Sequence, residues 1–570
     1  MASLISALDN HTPSQIGENG SNEFTWSNSI KERINQLSFQ LTRTRDSNSL
    51  DQLALQTDGI LKGLISSYKS GTLEREEYLE YMSILYRMIG QTRDIIEGKG
   101  EYALSYILLG VWENHFPQLA QFALRFFVLN VEDSSNKHPY GSWKDIKYLY
   151  RQYQLSPLVL YGMDLLLDQI RKDISSENPS LAAKWVPREK STFGSLYCEL
   201  ANRFFPEYLA SAKSDEQRKR ATLKAKTEFR KIISGLNKKL GTVQINQCGQ
   251  DWSSIIPENQ TSITMHKQKR AFLNKKKNGE QRFELEDRIV CGKNFEEFAK
   301  KAKRGEVEVK GKRVGLNSFT EEAISLIHRN QINSSEADLL NAQWLDNSKQ
   351  TGALGNMIAM VDVSGSMHGD PMNAAIALGI RVAEKSLLGK RVLTFSGSPS
   401  WVNLDGYDTF VSMVSELQRA DWGQNTNFYA AMKLILDAII INNLQPDDVK
   451  DMVLAIFSDM QMDDGFGSSY SSSLMDTVID MYAEAGLRLY KKPFEPPHIL
   501  FWNLRSTNGF PALSTMNNCS MMSGFSPVLL NLFCEKGLEA LQSCSPWSLL
   551  VESLNKDRYA ILDKHIRDIL

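Results

Sequence analysis

A chain of 570 residues has room for about two to four domains, at roughly 100–200 residues each, and for a substantial core. Hydrophobic residues make up 42% and charged residues 23%, which excludes disorder, collagen-like repeats and a disulfide miniprotein as the overall class. The formal charge of −2 gives the chain as a whole no attraction for a polyanion.

Residues 1–30 are expected as a flexible N-terminus. From about 31 to 340 the pattern is helical, with apolar residues recurring at three and four. In Glu101–Asn130, EYALSYILLGVWENHFPQLAQFALRFFVLN, Pro117 divides such a run into two helices of about a dozen residues each. Further helix-length blocks lie at 73–96, 143–154, 157–175 and 194–212. No repeat of fixed length is present, so the expectation is a helical bundle or an irregular solenoid. Within this half, Lys213–Arg313 carries 18 Lys and 8 Arg against 13 acidic residues, an excess of 13 positive charges hidden by the net value.

From about 350 the pattern changes. MIAMVDV (357–363), RVLTFS (391–396), DMVLAIFS (451–458) and HILFWNL (498–504) are short, almost wholly apolar runs. Such runs suit strands buried on both faces. Helix-length segments at 371–388, 427–441 and 472–486 alternate with them, as in a parallel sheet covered on both sides. The expected fold is therefore multidomain. An α-helical N-terminal part precedes an α/β, Rossmann-like unit over 350–570, with a central, mostly parallel sheet and C-terminal helices.

One segment carries the chemistry: Asp362-Val-Ser364-Gly-Ser366-Met-His-Gly-Asp370-Pro371. Asp370 suits a helix N-cap and Pro371 the first helical position. In extended chain Asp362, Ser364 and Ser366 project to one side. They would converge where a strand ends and a helix begins, the crevice in which open α/β sheets bind ligands. Downstream, Gly423-Gln-Asn-Thr426-Asn427 opens another helix, and Phe457-Ser458-Asp459 ends another strand. Two carboxylates, three hydroxyls and water suit a hard divalent ion such as Mg²⁺. With no His or Cys in the set, Zn²⁺ and copper are disfavoured.

These three pieces, in order, form the pattern of the metal-ion-dependent adhesion site, and the segment from about 350 to 540 resembles a von Willebrand factor A domain. The resemblance implies that Ser364 and Ser366 bind Mg²⁺ or Mn²⁺ directly. It implies that Thr426 binds directly or through water, and that Asp362 and Asp459 act mainly through water. The sixth position is left for an acidic group on a partner. A second resemblance rests on Arg93-Asp94-x4-Gly98-Lys-Gly100-Glu101, Tyr140-Gly-Ser-Trp143-Lys-Asp145, Ala183-Lys-Trp185-Val-Pro187, Phe229-Arg-Lys-Ile232-Ile233, Phe501-Trp502-Asn503-Leu504 and Ser523-Gly524-Phe525-Ser526. Together these look like domain-of-unknown-function family 2828, known from plants, fungi and giant DNA viruses. That family is similar, more distantly, to the Ro/TROVE proteins, whose helical ring binds RNA. RNA binding is what the more distant resemblance implies.

The basic segment offers Arg218, Lys219, Arg220, Lys224, Lys275, Lys276 and Lys277 as contacts for RNA or for an acidic partner; otherwise they are a solvated surface. The aromatic residues of YGSWKD and KWVP read as helix-packing anchors rather than stacking platforms, Gly98-Lys-Gly100 as a turn, and His368 as a solvent-facing loop residue. No Ser/His/Asp or Cys/His order assembles around a nucleophile, so no enzyme is expected. The six cysteines lack any CxxC pair, so neither a zinc knuckle nor a disulfide framework is written here. No apolar run approaches the roughly 18–20 residues that span a bilayer, and MASLISALDNHTPSQ is no secretory signal. The expected place is intracellular and cytoplasmic, or in a virion if the chain is virus-encoded.

The reading that results is a non-enzymatic binding or scaffold protein, whose Mg²⁺ (or Mn²⁺) captures a carboxylate from a protein partner, with no membrane. The alternatives are a TROVE-like RNA-binding component, a metal-dependent hydrolase, and a structural or packaged viral protein.

Overall fold

The computed structural model describes residues 12–18, 20–132, 134–395, 399–420, 427–445, 449, 451–461, 474–507, 509–534 and 543–570. The apolar runs of the second half form the strands expected of them. β3 (Met357–Asp362), β4 (Arg391–Phe395), β6 (Val453–Ser458) and β7 (His498–Asn503) are joined by β5 (Ser400–Asn403) and β8 (Cys519–Ser523) in one six-stranded sheet. Its order is β5-β4-β3-β6-β7-β8. All neighbours are parallel except the edge pair β4–β5.

Alternate residues feed two cores. Met357, Ala359, Val361, Phe457 and Trp502 face one; Ile358, Met360, Ile456 and Phe501 face the other. Helices Phe428–Ile441 and Leu474–Tyr490 cover the second face. The first is covered by Asp370–Lys385 and Phe410–Leu417, and also by Leu316–His328 and Ser335–Ser348. Trp344 of the last of these stacks on Phe410 at 3.9 Å.

The helical half is as long-helixed as its period predicts. Phe116 and Pro117 break the apolar run into Tyr102–His115 and Pro117–Val128. Ser156 caps Pro157–Ser175, and Ser214 caps the 25-residue helix Asp215–Lys239. Its core also takes in Leu554, Tyr559, Leu562 and Ile566 from the far C-terminus. The expected flexible stretch 1–30 contains, from residue 12 onward, a hairpin of β1 (Ser14–Ile16) and β2 (Asn22–Phe24). Phe24 bridges to Phe510 beside the large sheet. No helix among the described residues is long and apolar enough to cross a membrane.

The motif Arg93-Asp94…Gly98-Lys99-Gly100-Glu101 is the knot between these parts. Gly98 and Gly100 are needed here: a Cβ on Gly98 would meet Gln91 O at 2.0 Å, and Gly100 has φ +73°. Arg93 holds Asp145 through two hydrogen bonds of 2.9 and 2.8 Å. Asp94 receives Arg558 through two of 2.9 Å, and Tyr559 at 3.0 Å. Lys99 donates to Ser38 O, Leu41 O and Ser523 Oγ. Glu101 pairs with Arg43. The turn expected of Gly98-Lys-Gly100 is present, and every charge around it is in use.

Both members of the Asp94–Arg558 pair have fully buried side chains. Arg558→Leu should therefore cost about 3–5 kcal/mol in chemical denaturation, because Asp94 is left buried without its counter-charge. Adding Asp94→Asn should restore part of the loss. Single and double variants of equal stability would contradict the assignment.

Candidate metal site at the switch point

β3 is flanked by β4, which follows it, and by β6, which returns from the other side. Strand order reverses here, so the carboxyl ends of β3 and β6 diverge around a crevice. Asp362 ends β3 and Asp459 follows β6; both are fully buried.

Asp362 is anchored on both oxygens, accepting from Ser364 N at 2.9 Å and from Ser458 Oγ at 2.6 Å. After Ser364 the chain leaves the extended form for a 3₁₀ turn at Gly365–Met367. The simple i, i+2, i+4 projection therefore does not continue through Ser366. The turn nonetheless brings Ser364 Oγ and Ser366 Oγ to 3.0 Å. Ser366 also lies near Asp459, whose Oδ1 accepts from Gln461 N at 3.2 Å. Burial and the nearby Asp459 carboxylate push Asp362 up to about 7; burial likewise raises Asp459.

Of the five residues expected to hold metal, four are together: Asp362, Ser364, Ser366 and Asp459. Thr426 lies outside the described residues. Asn427 beside it caps helix Phe428–Ile441 through Ala430 N, so that helix begins where its sequence places it. Asp370 differs from its expected role. Gly369 is the N-cap, without a side-chain bond, and Asp370 lies in the first turn. Its carboxylate is taken instead by Arg45 at 2.7 Å and by Asn317 at 3.0 Å. His368 is exposed, as expected of a loop histidine.

Sequence reading missed Arg505. Its Nη1 donates to Ser366 O at 3.1 Å and reaches Asp459 Oδ2 at 3.4 Å. The available signal was its place two residues past β7, at the same sheet edge. Ser458, the buried hydroxyl that fixes Asp362, was passed over because it reads as strand. The β1–β2 turn also reaches the rim, where Gln461 Nε2 donates to Glu18 at 2.6 Å.

Among the described residues no three or more His, Cys, Asp or Glu side chains are grouped to hold a metal. With two carboxylates, this set would depend on its hydroxyls as further donors. Its chemistry fits a hard cation: all donors are oxygen, and two buried carboxylates raise each other's cost of ionisation.

The basic candidates are not one surface. Arg218, Lys219, Arg220 and Lys224 are exposed on the first turns of Asp215–Lys239, with Lys224 over the Tyr208 ring. Lys275 and Lys276 pair with Glu296 and Glu280, each at 3.2 Å, and Lys277 O accepts from Arg329. The helix packs on the main helical core, whereas the lysine turn borders a separate small core around Phe272 and Phe295. Elsewhere in the segment Lys226, Lys231 and Lys303 have acidic partners.

In chelator, a raised Asp362 favours folding while protonated, below the ordinary carboxylate range. That contribution is lost as pH rises from about 4 to about 7. Asp362→Asn should flatten this slope by an amount on the order of a few kcal/mol across the window. Parallel stability–pH curves for the two proteins would contradict the electrostatics described.

Two family models and a curated relative match the chain. Residues 356–558 match the family model for a domain of unknown function, DUF7788. A curated relative is 28% identical over 497 residues, 83% of this chain and 78% of the relative. It is "Uncharacterized protein L728" of Acanthamoeba polyphaga mimivirus. Residues 162–347 match the model for the domain of unknown function DUF2828, so the two family models match successive segments of the chain.

Proposed function

We propose that the sheet half is a von Willebrand factor A-type module, and that the protein binds a partner through a divalent cation. The observation that carries this reading is the convergence of Asp362, Ser364, Ser366 and Asp459 at the strand-order reversal. These residues, with Thr426, would hold Mg²⁺ or Mn²⁺. Such a cation supplies a site for one more oxygen ligand, here a carboxylate of a partner protein. Ser364 and Ser366 orient the open side, Ser458 keeps Asp362 from turning away, and Arg505 offsets the charge of Asp459.

The proposed role is binding, without catalysis. The described hydrogen bonds of Ser364 and Ser366 run to each other, to Asp362, to Met367 and to Arg505, none of them to a histidine base. Hydrolysis of nucleotides, phosphoesters or peptides should stay at background, and turnover abolished by Ser366→Ala would overturn this.

Differential scanning fluorimetry tests the metal. Mg²⁺ or Mn²⁺ at saturation should raise the Tm by at least about 2 °C, by mass action on the folded state. Asp362→Asn and Ser366→Ala should remove the rise while leaving a cooperative transition in chelator. An equal rise in all three proteins would rule the site out.

A further inference from the structure

Helix Lys144–Tyr153 buries Ile146 and Leu149 and leaves Lys144 and Lys147 half-buried and Arg151 exposed, at spacings of three and four. None of the three has an ion-pair partner among the described residues; Asp145 between them turns inward to Arg93 and Tyr106. Their neighbours are aromatic rings, Tyr148 of the same helix and Tyr102, Trp185 and Phe193 of other elements. Lys144 Nζ lies 4.9 Å from the Tyr148 ring, 5.8 Å from Tyr102 and 6.0 Å from Trp185. Lys147 lies 5.7 Å from Trp185, and Arg151 4.8 Å from Phe193. Tyr102 is 50% exposed and stacks on Tyr148 at 5.8 Å.

Packing alone does not account for this arrangement. Lysines whose only task is to cover rings could lie in water beside acids. Here burial lowers both Lys144 and Lys147; the Asp145 carboxylate offsets part of this at Lys144, where Lys267 of a separate helix, Arg93 and Lys147 add like charge. Desolvated cations facing each other cost stability that an added polyanion would restore. Trp185 is shared with a cleft of about 470 Å³, also lined by Tyr197, Arg188 and Arg230, the last paired with Glu189 at 3.9 Å. A row of unpaired cations interleaved with half-exposed ring faces, running into a cleft, matches a flexible chain of phosphates and flat bases. A folded acidic protein surface would leave the ring faces without partners.

We infer that this face binds single-stranded nucleic acid, with phosphates on Lys144, Lys147 and Arg151 and bases stacked on Tyr102 and Trp185. The site is distinct from Arg218, Lys219 and Arg220 and independent of the metal site.

Fluorescence anisotropy with the full chain tests it, using labelled oligo(U) and oligo(dT) at two salt concentrations. Lys144→Gln, Lys147→Gln and Arg151→Gln together should abolish binding or lower the salt slope by about 0.7 per lost contact. Tyr102→Ala should weaken binding about tenfold, whereas Tyr102→Phe should not. Circular dichroism and Tm confirm that each variant folds. Preference between the two oligomers tells RNA from DNA, and either result supports the site. The inference is overturned by no binding at low salt, or by equal competition from polyglutamate. It is also overturned if Arg218→Glu, Lys219→Glu and Arg220→Glu abolish binding while the glutamine triple leaves it intact.

Discussion

Four adjacent parallel strands end on buried polar residues: Asp362, Ser458 or Asp459, Asn503 and Ser523. A polar row at the closed edge of a sheet must find partners, because each buried group left unbonded costs about 1–3 kcal/mol. The helical half supplies most of them. Asn503 Nδ2 donates to Phe39 O. Ser523 Oγ donates to Ser38 O, and Lys99 joins Ser523 to the last carbonyls of helix Ile30–Gln40. Glu32 and Gln40 of the same helix accept from Ser514 N and Thr507 N. Only toward β3 does the row lack such cover. There Asp362 takes Ser458 Oγ and Ser364 N, and Asp459 takes Gln461 N and Arg505.

That difference defines the candidate site. Where the helical half caps the edge, polar residues are structural; where it stops, two buried carboxylates stand at the ends of neighbouring strands. The halves are still connected at its border. Glu101 holds Arg43, Arg43 meets Asn317, and Asn317 and Arg45 hold Asp370, eight residues after Asp362. Through this chain of contacts the site's loop is braced on the helical half, so the two parts of the chain act as one scaffold around it.

The sequence made the strands β3, β4, β6 and β7 legible because a strand buried on both faces needs an unbroken apolar run. β5 escaped notice because SWVN is a short edge strand with exposed Trp401, and β8 because CSMMS hides two serines among its buried residues. Helical periodicity shows that a helix has a buried face but not what it meets. Thus residues 316–348 read with the helical half yet pack on the sheet, while 546–569 read with the sheet half yet complete the helical core. In the site, the oxygen-bearing residues and their spacing were legible in DVSGS and FSD. Arg505, Ser458 and the Asp370 brace were not, since each depends on which loops the strand order sets side by side. Trp185, read as a packing anchor, does pack on the helical core, and its further place between cations and a cleft shows only in three dimensions.

The central claim is that these oxygens form a single cation site, and electron paramagnetic resonance of free Mn²⁺ during titration reads it directly. The account predicts that wild-type chain removes one Mn²⁺ per molecule from the free signal, and that Mg²⁺ returns it. Asp362→Asn with Asp459→Asn, folded by circular dichroism, should leave the free signal untouched. Undiminished binding in that variant, or none in the wild type, would contradict the account.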